Sequence, residues 1–188
     1  MTIRKARITD VENIQQLVNN YADKGLMLPR SLSMLYESLR EFMVAEDINI
    51  SENADGSRKP EILGTGALHV IWSDLAEIRA LAVAPHKTGT GIGRRLVESL
   101  LAEARDLGIP YVFALTYQPV FFEKCGFTRI EKEQLPQKVW KDCINCPRFP
   151  NCDEVALIIK IPEIKTHPGN GKTFADAIFP PKGNRPVS

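Results

Sequence analysis

Residues 81–96, LAVAPHKTGTGIGRRL, constrain the fold more than any other stretch: an apolar strand runs into a glycine-rich loop that opens a helix. Gly89, Gly91 and Gly93 alternate with Thr88, Thr90 and Ile92, and without Cβ atoms the chain turns tightly and brings backbone close to a ligand. Such a loop offers N–H groups to a phosphate, and the following helix adds its unsatisfied donors and positive end. The expectation is an anionic cofactor held by main-chain amides. Two familiar phosphate loops do not fit. The GK[ST] ending of a Walker A loop is absent, and the dinucleotide fingerprint needs a chain-initial βαβ unit with an acidic residue about 20 positions on. A structural cap or a packing role competes for three glycines taken alone; the LAV strand leading into the loop weighs against it.

Around this element the chain alternates helical and extended patterns. Residues 3–8 read as a first strand, and Thr9-Asp10-Val11-Glu12 as a capping box opening a helix with Val11, Ile14, Leu17, Val18 and Tyr21 on one face. A shorter helix follows Pro29-Arg30-Ser31, capped by Ser31 or Ser33 and using Leu32, Leu35, Tyr36 and Leu39. Residues 42–50 and 62–72 read as an antiparallel hairpin with a long polar turn, and 75–83 as the strand entering the glycine loop. An amphipathic helix through Leu96, Leu100, Ala104 and Leu107 ends at Gly108-Ile109-Pro110. Then come a buried strand at 111–115, a short helix from Pro119 to Gly126, and strands at 127–130 and 155–161. This order predicts a mixed α/β (α+β) sheet flanked by helices, within one domain.

At 188 residues the chain is long enough for one well-packed core. Twenty-four basic against twenty-three acidic side chains give a formal charge of +1, so the total offers no footing for nucleic acid or an anionic membrane. No apolar run reaches membrane-spanning length and MTIRKARITD lacks a signal-peptide core, which makes a cytoplasmic protein the expectation. Cys143, Cys146 and Cys152 cluster in a Cys-rich stretch at 141–154, with Cys125 apart. A structural zinc held by Cys143, Cys146 and Cys152 with a fourth ligand, free thiols and a disulfide all remain open. The tail at 162–188 is rich in proline and glycine without sustained period, and is expected to run over the surface or onto a second copy in a homodimer.

These segments line up with a known family: the chain resembles the GCN5-related N-acetyltransferases over about residues 3–161. That family's cofactor motif is Gln or Arg, two residues, Gly, one residue, then Gly or Ala. It matches here as Thr88-Gly89-Thr90-Gly91-Ile92-Gly93, with Thr88 in the place of the usual Gln or Arg. Four stretches, GLMLPRS at 25–31, WSDLAEIRALAVAP at 72–85, LTYQPVFFEKCGF at 115–127 and LPQKVWKDCINCPRFPNCDE at 135–154, are similar to the short, single-domain N-acetylglutamate synthases of bacterial arginine biosynthesis. The resemblance implies a mostly antiparallel sheet with one splayed strand pair, and acetyl-CoA as cosubstrate. It implies that the backbone of Leu81, Ala82 and Val83 pairs with the pantetheine arm, that the Val83 N–H meets the thioester carbonyl, and that amides from Thr88 to Arg94 meet the pyrophosphate.

An attacking amine must be neutral, so the reaction needs a base or a water path to one. Glu77 is the first candidate, because a strand period places Glu77, Arg79, Leu81 and Val83 on one side; a plain Glu77–Arg79 ion pair is the alternative. Many relatives carry a tyrosine acid four positions before the Gly-Phe of the short helix, where this chain has Phe122. Tyr117 and Cys125 are substitutes, as is departure of the thiolate without an acid. A dicarboxylate acceptor calls for guanidinium forks, and Arg30 and Arg79 are the candidates, with Lys24, Arg7 and Lys138 weaker. The reading is acetyl transfer to the α-amine of glutamate, a small-molecule amino-acid substrate. Another small amine, a protein N-terminus, or a non-catalytic acyl-CoA sensor are the alternatives.

Overall fold

Apolar residues at three- and four-residue spacing make α1 (Val11–Ala22) a half-buried helix, with Val11, Ile14, Leu17 and Val18 turned inward. In the computed structural model, which describes residues 1–52, 58–136 and 151–162, the entry to this helix departs from the expected Thr9 capping box. A 3₁₀ turn, Ile8–Asp10, precedes it, and Asp10 accepts the Arg7 N–H at 2.7 Å. Asp10 also takes a two-pronged grip from Arg4, at 2.7 and 3.1 Å, so its carboxylate closes the capping box of the 3₁₀ turn on Arg7 and joins a buried ion pair, without capping α1 itself. At α2 (Leu32–Glu37) the expected cap forms: Ser31 Oγ accepts the Met34 N–H at 3.2 Å.

The strands are β1 (Thr2–Lys5), β2 (Phe42–Glu52), β3 (Arg58–Trp72), β4 (Leu75–Val83), β5 (Tyr111–Thr116), β6 (Thr128–Ile130) and β7 (Val155–Lys160). They form one sheet in the order β1-β2-β3-β4-β5-β7-β6. Every pairing is antiparallel except β4 with β5. The β2–β3 hairpin is longer than its sequence pattern suggests, since Ser51 and Glu52 still pair with Lys59 and Arg58. Helix α3 (Ile92–Asp106) covers one face, where Val97, Leu100 and Ala104 pack on Ala76, Ile78, Val112 and Leu157. Helices α1 and α2 cover the other, against Phe42, Val44 and Ala67. The short α4 (Pro119–Lys124) sends Phe122 into the α3-side core. Among the described residues no helix is long and apolar enough to cross a membrane.

Two irregularities position the site. The parallel ladder lasts three rungs, Leu75–Tyr111, Ala76–Val112 and Glu77–Phe113, while β4 continues to Val83 and β5 to Thr116, so the strands splay apart. β4 also carries a bulge: Ala67 pairs with Arg79 and Thr65 with Ala82, one residue too many on β4, and Ala80 has φ +52°. The extra residue corrects the expectation that Glu77, Arg79, Leu81 and Val83 share a side. Ile78, Leu81 and Val83 pack with the α3-side residues, whereas Ala80 and Ala82 pack toward α1, and Arg79 bonds Glu41 just before β2.

The N-terminal strand is fastened by the Arg4 guanidinium, which reaches Glu46 on β2 at 2.6 Å as well as Asp10. These side chains are 16%, 10% and 7% exposed, which places the triad inside the protein. Burial pushes the Asp10 carboxyl up, but hydrogen bonds from Arg4 and the Arg7 N–H outweigh it and hold Asp10 below the usual range. Glu46 is lowered chiefly by its hydrogen bond from Arg4. Because both carboxyls titrate below their unfolded values, their stabilisation is complete above about pH 4 and is lost as pH falls through the folded values. Arg4→Met should therefore lower the unfolding free energy by about 3 kcal/mol in a denaturant titration, since it strands two buried carboxylates. The variant should also show a shallower loss of stability between neutral and acid pH than the parent.

Candidate active site

The splay opens a cleft of about 580 Å³ whose walls come from both sides of the sheet. Ile78 to Val83 of β4 form one wall, and Leu115, Thr116, Gln118, Phe121 and Phe122 the other. Tyr21, Leu26 and Met27 close it on the α1 side, and Thr88, Gly89 and Gly91 to Arg94 form its floor.

The edge of β4 is polar where it meets this apolar space. Ala84 N–H donates to Leu63 O at 2.8 Å, so Ala84 spends its backbone on β3. Hydrogen-bonded and non-bonded residues alternate along an antiparallel ladder, and Val83, opposite Gly64, is therefore a non-bonded residue whose N–H and C=O face the cleft. The Val83 carbonyl is met there by the Tyr21 hydroxyl, which donates to it at 2.6 Å.

At the floor, Gly91 (φ +86°) turns the chain into α3, a conformation costly for residues with a Cβ. Arg95 N–H is bonded to Gly91 O at 3.1 Å, and the amides of the first helical turn before it, from Ile92 to Arg94, lie at the open end of the helix, as at any α-helix start. Gly93 is tighter. A β-carbon there would lie 3.3 Å from the Phe121 ring and 3.5 Å from Val83 Cγ2, so the two walls close on this residue where α3 begins. Thr88 in the motif's first position is exposed. Lys87, Arg94 and Lys124 place positive charge around the cleft.

Arg79 lines the cleft and is 12% exposed; it donates to Glu41 at 2.8 Å, and the other Glu41 oxygen lies 2.8 Å from His69 Nδ1. Burial raises the Glu41 carboxyl, but the His69 hydrogen bond and the Arg79 charge outweigh it and keep Glu41 below the usual range. Arg30 is not among the lining residues. Its backbone is tied to α1, its N–H donating to Asn19 at 2.9 Å and its carbonyl accepting from Gln15 and Asn19, both at 3.2 Å. Glu77 stands on the last β4–β5 rung, opposite His69 on β3 and outside the lining, as does Tyr117. Phe122 is 4% exposed and makes edge contacts with Phe121 and Phe127. Cys125 lines the cleft, and burial pushes its thiol up, so it stays protonated near neutrality.

Sequence reasoning missed Tyr21 and Glu154 as lining residues. Tyr21 reads as one more member of an apolar helix face, and Glu154 ends a cysteine-rich stretch whose thiols suggest a metal. Cys152 is half-buried, its Sγ 3.6 Å from Glu154 Oε2, while Cys143 and Cys146 lie outside the described residues. Among the described residues no group of three or more metal-ligating side chains occurs.

The profile of the acetyltransferase (GNAT) family matches residues 31–127. An amino-acid acetyltransferase of Mycobacterium tuberculosis is 44% identical over 140 residues, covering 74% of this chain and 75% of that one. The chain belongs to the GNAT acetyltransferase family. As a GNAT protein it is an acetyl-CoA-dependent N-acetyltransferase. Among solved structures, a Mycobacterium tuberculosis protein in complex with CoA superposes with a TM-score of 0.71 at 37% identity, over 86% of this chain and 99% of that one. N-acetylglutamate synthase from Neisseria gonorrhoeae, complexed with coenzyme A and N-acetyl-glutamate, gives 0.72 at 28% identity, over 85% of this chain but 34% of the longer enzyme.

The GNAT cleft suits coenzyme A on its own chemistry. An open strand edge matches a chain containing amides, and the helix start and nearby cations match a pyrophosphate. Gly93→Val sets branched carbon against Phe121 and Val83 at the helix start that lines the cleft. By calorimetry it should weaken coenzyme A binding at least tenfold, while thermal unfolding moves by only a few degrees.

Proposed function

We propose that this chain is an N-acetylglutamate synthase, transferring the acetyl group of acetyl-CoA to the α-amine of L-glutamate, the first step of arginine biosynthesis. The observation that carries this reading is Arg79. It is a largely buried guanidinium fork in the cleft wall, held by Glu41 and four residues along β4 from the Val83 amide that faces the same space. A fixed fork reads a carboxylate better than a mobile ammonium does. The amino-acid acetyltransferase name of a 44% identical relative supports the acceptor class. We assign Arg79 to one glutamate carboxylate and Arg30, in the α1–α2 turn, to the other.

In this scheme Leu81 and Val83 turn backbone groups toward the pantetheine arm, while Ala82, opposite Thr65, spends its own on β3 and lines the arm's path, and the amides of Thr88, Gly89, Thr90, Gly91, Ile92, Gly93 and Arg94 hold the pyrophosphate. Bound acetyl-CoA supplies an activated thioester. Val83 N–H, fixed before reaction, stabilises the oxygen that gains negative charge as the amine attacks, more in the transition state than in the ground state. Glu77, at the apex of the splay, takes the amine proton through water. Tyr117, beside the lining residues Thr116 and Gln118, is the assigned proton donor to the departing thiolate.

Incubation of the purified protein with acetyl-CoA and a panel of amino acids, following free thiol and product mass, should give acetylglutamate as the dominant product. Release of thiol with every amine equally, or with none, would reject the assignment. Arg79→Lys should raise the KM for glutamate at least tenfold with little change in that for acetyl-CoA. Glu77→Gln should lower kcat by about 100-fold near neutrality, within the usual range for loss of a general base. That deficit should shrink as rising pH deprotonates the amine without help.

A further inference from the structure

We infer that Tyr21 is a positioning residue for acetyl transfer, acting through the Val83 carbonyl. This rests on the assignment of the Val83 N–H as the donor to the thioester oxygen.

Both backbone groups of Val83 face the cleft, since Ala84 rather than Val83 bonds to β3. The N–H favours a developing oxyanion, but the C=O beside it presents its negative end to the same space. Left open, that oxygen would oppose the charge that the N–H stabilises. Tyr21 removes the conflict, because its hydroxyl donates to Val83 O at 2.6 Å from the α1 side. The peptide joining Val83 to Ala84 is then pinned at both ends, by Tyr21 at its oxygen and by Leu63 O at its N–H, 2.8 Å away. The Val83 N–H belongs to the preceding peptide, whose Ala82 carbonyl faces Thr65 on β3; with the peptides on both sides of the Val83 Cα held, the donor's direction is fixed before charge appears. The bond also joins α1, which walls the cleft on one side, to the strand that lines the other.

The ring itself is held: Tyr21 packs beside Leu17, Ala82 and Ala84, with Met27 alongside. Lys24 Nζ lies over it at 5.6 Å from the centroid. Removing the hydroxyl therefore deletes one hydrogen bond and leaves the packing in place. The phenol proton is committed to a carbonyl oxygen, which sets this role apart from proton donation to sulfur.

The test is Tyr21→Phe in the full-length chain. Expected are a 10- to 100-fold lower kcat, a KM for acetyl-CoA within threefold of the parent, and a kcat–pH profile of unchanged shape. The deciding readout is the infrared carbonyl stretch of bound [1-13C]acetyl-CoA, which reports polarisation of the thioester without needing an acceptor. It should lie at lower frequency in the parent than in Tyr21→Phe. Equal frequencies in two proteins that both bind acetyl-CoA would overturn the inference and leave the enzymatic assignment standing, as would a parental kcat in the variant. Loss of an alkaline limb from the pH profile would overturn it in favour of an acid. Failure of the parent to bind acetyl-CoA would overturn both readings.

Discussion

Three rungs of parallel pairing between β4 and β5, and the parting of the strands after Glu77 and Phe113, set the terms for the rest of the molecule. A sheet that stayed closed would spend the β4 edge on a neighbouring strand. Here the edge beyond Glu77 meets a cleft lined largely by Leu81, Val83, Ile92, Phe121 and Phe122. A backbone polar group facing apolar space without a partner costs about 1–3 kcal/mol, so the fold carries unspent hydrogen-bonding capacity that a ligand with its own amides recovers on binding. Affinity for an extended, amide-bearing arm is thus a property of the topology before any side chain is considered.

The bulge at Ala80 turns this opening into a two-sided site. A regular strand would send Arg79, Leu81 and Val83 to one face and leave the other without a charged group at this depth. One inserted residue, with Ala80 in a left-handed conformation costing about 1–2 kcal/mol, sends Arg79 toward Glu41 and α1 while Leu81 and Val83 stay with α3. Successive residues of the same strand then serve two walls. The glycine floor belongs to the α3 wall and the arginine fork to the α1 wall, so the two substrates proposed for this enzyme would approach the splay from opposite sides. Local strain at Ala80 is the cost of that arrangement.

Features governed by neighbours in sequence were legible from sequence. The glycine loop, the Ser31 cap, the α1 and α3 stripes and the helix ends near Gly108 and Gly126 each follow from residues within a few positions of one another. What escaped was set by distant partners. The bulge depends on register between β3 and β4, which a period-2 reading of β4 alone cannot contain. Tyr21 reads as core because its hydroxyl partner, Val83, is 62 residues away. The grip of Arg4 on Asp10 and Glu46 exists only in the folded sheet, and the bond between Arg79 and Glu41, 38 residues apart, is invisible to any reading of β4 alone.

Two departures from the family's side-chain pattern point the same way. Thr88 replaces a long cationic or amide side chain and lies exposed, and Phe122 replaces a tyrosine and is sealed between two other rings. Neither supplies a donor to the cleft, yet the main-chain features they would assist are intact: an α3 amide start at the floor and a Val83 edge fixed from α1. An aliphatic thiol has a pKa of about 8.5, so its anion is a moderate leaving group near neutrality and gains less from an acid than an alkoxide would. The demanding charge is on the carbonyl oxygen during attack, where backbone dipoles act. In the proposed scheme Phe122 leaves the sulfur to Tyr117 and Thr88 leaves the pyrophosphate to backbone amides, while the Val83 N–H serves the carbonyl oxygen, the atom on which the larger share of the barrier depends.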